Sequence, residues 1–109
     1  MTALDELLAR DAQAMVAEAR GAVRRVLHEL RERGVEAKLV GSLARGDFLS
    51  RSDIDILVLS YPANLRSTIE RMAGALVGRW PLDVIFLDDV RPRWRAFLMS
   101  EARDASDLC

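Results

Sequence analysis

The sequence predicts an α/β (α+β) fold: a small mixed β-sheet with helices packed on it. Three observations lead there. A helical period runs through the first third of the chain, three short runs rich in Ile, Leu and Val follow, and Gly, Pro and Asn punctuate the chain between them. No internal repeat, low-complexity tract or Pro/Gly/Ser linker divides the 109 residues, so 1–109 is read as one domain.

From Ala3 to Arg33, the residues Leu4, Leu8, Met15, Ala19, Ala22, Val26 and Leu30 recur at spacings of three, four and seven and line one helical face. Thr2, with Asp5 three residues on, is the expected N-cap, and Gly34 the expected C′ stop. Unbroken, such a helix is ~46 Å long, which is long for a domain of this size. Gly21 costs about 1 kcal/mol against Ala inside a helix, so a kink or break is expected there.

Glu36 to Val40 is a short apolar run before Gly-Ser and reads as a strand. Asp53 to Ser60 reads as a second strand, buried on both faces after its first residues. Tyr61 to Asn64 is a turn, with Asn64 placed to cap a helix carrying Leu65, Ile69, Met72, Ala73, Leu76 and Val77. That helix ends near Gly78, and Leu82 to Leu87 is the third strand. Pro92 opens a last helix through Trp94, Phe97, Leu98 and Glu101. Strand two, its crossover helix and strand three form a parallel unit. Only a dozen residues separate strands one and two, so that pair is expected to be antiparallel.

Composition excludes several function classes. With 16 basic and 17 acidic side chains the net charge is −1, which speaks against a domain held on nucleic acid by bulk electrostatics. His28 is the single histidine, ruling out any mechanism or metal site needing two imidazoles from this chain; it reads as a surface or helix-packing residue. Cys109 is the single cysteine and reads as an incidental tail residue, so no internal disulfide or Cys-rich zinc site is possible. No apolar stretch approaches the ~20 residues needed to cross a bilayer, and MTALDELLAR lacks the basic start and apolar stretch of a signal peptide. A soluble cytoplasmic protein without membrane partners is expected. Trp80 reads as core at a strand entrance, Trp94 as a core-facing residue of the last helix, and Arg91, Arg93 and Arg95 as a solvated helix face.

The chemistry concentrates between Gly41 and Val58. Gly41-Ser42 follows a strand and opens a turn or short helix; glycine lets the backbone approach a ligand, and the following N–H groups with the serine hydroxyl suit phosphate oxygens. Arg45 lies one turn later, near that cradle. Asp53 and Asp55 are two apart at a strand start, so both carboxylates share a face, where a cation must offset their repulsion. Oxygen ligands of this kind suit Mg²⁺. Asp83 begins the third strand; if strands two and three start on one edge, it joins the pair in a three-carboxylate cluster for two Mg²⁺, or accepts a hydroxyl proton itself. Asp88 and Asp89 are weaker candidates that look like caps for the last helix.

Gly-Ser, ten residues, then Asp-x-Asp, with Ala44-Arg45-Gly46 inside the gap and Ser52 before the first Asp, resembles the minimal nucleotidyltransferases of the DNA polymerase β-like superfamily. Five fixed positions (Gly41, Ser42, Arg45, Asp53, Asp55) coincide by chance on the order of 10⁻⁶ per start point. The resemblance spans most of the chain, with no departure at the motif positions. It implies the polymerase β-like fold, with Gly41 and Ser42 binding the β- and γ-phosphates of an NTP such as ATP and Arg45 supporting the triphosphate or the motif loop. It further implies that Asp53 and Asp55 hold Mg²⁺ while Asp83 completes the set and activates the acceptor. A hydroxyl then attacks the α-phosphorus in line with departing pyrophosphate. Relatives of this size are often antitoxins of type VII-like toxin–antitoxin pairs, and some transfer AMP to a tyrosine of a HEPN-domain ribonuclease toxin. Two alternatives stand beside that reading: a catalytically silent antitoxin that masks the toxin, and a small-molecule transferase of the antibiotic-modifying type. A homo- or hetero-oligomer is compatible with each.

Overall fold

The computed structural model describes residues 2–108. Helix α1 spans Ala3–Glu32, β1 Glu36–Val40, α2 Ser42–Arg45, β2 Ile54–Ser60, α3 Arg66–Val77, β3 Leu82–Phe86 and α4 Pro92–Glu101. Short 3₁₀ turns occupy Ala63–Leu65, Leu87–Asp89 and Ala105–Leu108.

Both ends of α1 are sealed as the sequence predicts. The Thr2 hydroxyl accepts from the Asp5 N–H at 3.1 Å while the Thr2 N–H donates to the Asp5 carboxylate, a reciprocal capping box. At the other end Gly34 sits at φ 77°, its N–H donating to Arg31 O and the Val35 N–H to Leu30 O, a Schellman closure. The expected break at Gly21 does not occur: α1 runs through it. Buried Ala19, Ala22, Val23 and Val26 on either side anchor the helix to the core, and that packing outweighs the propensity cost of one glycine. Upstream the apolar stripe emerges into solvent. Leu4 and Leu8 are exposed rather than buried, and Met15 is the first stripe residue packed against the core.

The sheet has the order β1-β2-β3, with β1 antiparallel and β3 parallel to β2, as the connection lengths predict. Helices α1 and α3 pack against each other, α1 also against β1 and α3 against β3. Between these layers lie Ile54, Ile56 and Val58 of β2, Leu39, Ile69, Ala73 and Phe86. Alternation along β2 therefore sends Asp55 and Leu57 to the opposite face. Trp80 is buried in edge-to-face contact with Phe48, at a centroid separation of 6.3 Å. His28 is a surface residue 3.8 Å from Glu32.

Several local expectations are corrected. β2 begins at Ile54, leaving Asp53 just outside it, and β3 ends at Phe86 because Leu87 already turns. Asn64 lies in a 3₁₀ turn and α3 has no side-chain cap. Asp88 and Asp89 do not cap α4; they accept from Tyr61 Oη and Arg66 respectively, and Arg66 also stacks 4.0 Å above the Phe86 ring. Trp94 faces solvent, as does Phe97, and α4 buries no side chain. Arg95 is half-buried instead, its Nε donating to Val90 O, while Arg91 and Arg93 stay on the solvated face. Cys109 lies outside the described residues. Among the described residues, no helix is long and apolar enough to cross a membrane.

Candidate active site

Register brings the sequence motifs to one edge of the sheet. Val40, the last residue of β1, stands opposite Asp55 in the antiparallel ladder, and Asp55 stands opposite Asp83 in the parallel one. Gly41 follows Val40 directly and so turns beside Asp55. An ideal Cβ built at Gly41 would lie 2.2 Å from Asp55 Oδ2, and the backbone there has φ 79°. Only glycine meets both conditions, and its missing side chain is what lets the Asp55 carboxylate reach the bend.

The half-buried Asp55 is the electrostatic centre of this edge. Burial lifts its carboxyl to about 6, and the neighbouring charges of Asp83 and Asp53 push in the same direction. Arg45 opposes them, and Glu101 adds a smaller upward push. Asp53 and Asp83 are thus each within electrostatic reach of Asp55, and both are exposed to solvent. Among the described residues, no three His, Cys, Asp or Glu side chains converge closely enough to hold a metal ion unaided. The donor set still fits a hard cation: it is all oxygen, like-charged and open to solvent, so water and substrate oxygens can complete the coordination.

Beside the carboxylates, Gly41 is the N-cap of the one-turn helix α2, without any side-chain cap on its N–H groups. Ser42 is half-buried at the first helical position. Arg45, at the far end of the turn, is 3.2 Å from Glu101 and 3.6 Å from Asp47. Glu101, which the sequence marks only as the end of the last helix, is a further residue of this site. Its other oxygen, Oε1, accepts the Gly41 N–H at 3.1 Å across 60 positions of sequence. Nothing in the local pattern around Glu101 signals this contact; it follows from the tertiary pairing of the C-terminal segment.

A cavity of about 370 Å³ opens next to Asp83, between α3 and β3, with Glu70, Gly74 and Trp80 on its wall. A second, of about 420 Å³, lies at the opposite end of the sheet near Tyr61, Asp88 and Arg95. Neither is lined by Gly41, Ser42 or Asp55. Asp53, Asp83 and Arg45 are exposed around the bend, which suits a polyanion that keeps part of its hydration better than an apolar ligand that must lose it.

The sequence matches the nucleotidyltransferase domain family over residues 22–104. The fold is similar to a solved structure described as a minimal nucleotidyltransferase, with a TM-score of 0.67 and 26% identity, covering 81% of this chain and 94% of that one. No curated protein matches the sequence significantly.

Proposed function

The chain belongs to the nucleotidyltransferase domain family, whose chemistry is transfer of a nucleoside monophosphate from an NTP, and we propose that this member transfers AMP from ATP to a hydroxyl with Mg²⁺ as cofactor. The observation that carries this reading is the meeting of Asp55, Asp83 and the Gly41 bend at one sheet edge. Gly41 and Ser42 hold the β- and γ-phosphates at the start of α2, with Arg45 supporting the motif loop. Asp53, Asp55 and Asp83 would hold the cation, which when bound offsets the charge of the triphosphate. Asp83, exposed at the start of β3, is open to an incoming acceptor and takes the hydroxyl proton. The hydroxyl oxygen bonds to the α-phosphorus, the bond from that phosphorus to the bridging oxygen breaks, and pyrophosphate leaves with the bonding pair. The acceptor we propose is a tyrosine of a HEPN-family toxin, so that the chain acts as an antitoxin in the cytoplasm.

A second reading, neutralisation of the toxin by binding alone, is favoured by the apolar surface that Leu4, Leu7, Leu8, Trp94 and Phe97 leave open to a partner. Incubation with labelled ATP, Mg²⁺ and a HEPN-domain toxin that the chain neutralises separates the two. Transfer of label that disappears in Asp53→Ala/Asp55→Ala supports the enzyme. Neutralisation that survives the double substitution undiminished overturns it in favour of masking.

A further inference from the structure

The C-terminal segment lies along the free edge of β1 in a definite register. Leu39 and Arg103 exchange two backbone hydrogen bonds, of 2.9 and 2.8 Å, as an antiparallel bridge. In antiparallel pairing each step forward on one strand is a step back on the other, so Gly41 faces Glu101 and Lys38 faces Asp104. Both contacts are present: Gly41 N to Glu101 Oε1 at 3.1 Å, and Lys38 Nζ to Asp104 Oδ1 at 3.4 Å. Glu101 therefore reaches the bend by register, and its side chain is only 11% exposed there.

Its two oxygens divide the work. Oε1 accepts the N–H of Gly41, just before α2, and Oε2 accepts from Arg45 Nη1 at the end of α2. A single helical turn has no stability of its own, because nucleation costs more than one hydrogen bond returns. One carboxylate braces both ends of this turn. We propose that Glu101 is a positioning residue for the nucleotide: it fixes the orientation of the α2 N–H groups and the Ser42 hydroxyl, and holds Arg45 as a brace of the loop. This rests on reading Gly41 to Arg45 as the triphosphate cradle. The competing possibility is a latch, in which the Glu101 carboxylate stands where phosphate must go and its neutralisation tightens binding.

The test is calorimetric binding of a non-hydrolysable ATP analogue with Mg²⁺ to wild type, Glu101→Gln, Arg45→Gln and the double variant, with thermal unfolding of each. Glu101→Gln keeps an acceptor for the Gly41 N–H but loses the charged contact to Arg45, so affinity is expected to fall about tenfold. The double variant is expected to bind no worse than the weaker single one, since both remove the same contact. In turnover assays KM for ATP rises more than kcat falls. Equal or tighter binding by Glu101→Gln beside a binding wild type overturns the positioning role alone. A wild type that does not bind the analogue removes the nucleotide reading and this role with it. Should Glu101→Gln fail to fold, Arg45→Gln breaks the same contact from its exposed side, and unchanged affinity there overturns the proposal equally.

Discussion

At Gly41 two independent constraints coincide, a left-handed backbone and a carboxylate in the space a Cβ would fill. Gly41→Ala is therefore expected to destabilise the fold by about 2 kcal/mol or more, read as a lower urea midpoint. Asp55 makes a pH-dependent prediction. Its carboxyl is raised from 3.8 to about 6, so the folded state binds the proton more tightly than the unfolded chain does. Folding then takes up a proton in that window, and stability falls as pH rises from about 4 to about 6 and stays lower above it. Asp55→Asn removes the charge that is penalised. Without divalent ions it should stabilise the protein by about 1 kcal/mol above that window, after discounting for solvent screening, and by nothing below it. Urea titrations across pH check this, and a gain that is the same at every pH would sink it. The Gly-Ser and Asp-x-Asp spacing made these residues legible because their chemistry is local in sequence. Glu101 was not legible, since a glutamate at a helix end has a meaning only once Arg103 pairs with Leu39.

Periodicity identified the long elements because each buries one face, and failed where a different force decided the outcome. Helix α1 ignores Gly21 because the core residues on both sides fix its course. The glycine is then a pure propensity cost, and a Cβ there would meet only Arg25 Nη1, at 3.8 Å. Gly21→Ala should stabilise the protein by about 0.5–1 kcal/mol, measured by chemical unfolding; a loss would mean that α1 needs the flexibility. In α4 the apolar pattern misled in the other direction. Trp94 and Phe97 look like a core face, yet Arg95 turns inward to bond Val90 O and the aromatic pair stays outside. A ten-residue helix tied at its start by that bond and at its end by Glu101 has its rotation set by polar anchors, which hydrophobic spacing does not encode.

The molecule measures 52 × 30 × 23 Å with a radius of gyration of 14.8 Å, against about 13 Å for a compact chain of this length. The excess comes from the start of α1. No residue from Thr2 to Ala14 is buried, Leu4, Leu7 and Leu8 are 63%, 55% and 58% exposed, and the first buried side chain is Ala19. The family match begins at residue 22, past this overhang, and every proposed site residue lies beyond it. A helical segment of this length is marginal in water without packing, so it contributes little to the stability of the rest. Deleting residues 2–13 is therefore expected to leave the unfolding free energy within about 0.5 kcal/mol of the full chain. The same deletion should lower the solution radius of gyration towards about 13 Å and leave affinity for the ATP analogue unchanged. Small-angle scattering, urea unfolding and calorimetry on the one variant read all three. A collapse of cooperative unfolding would show that the exposed turns stabilise the core from outside, and weakened nucleotide binding would tie the overhang to the Gly41 bend.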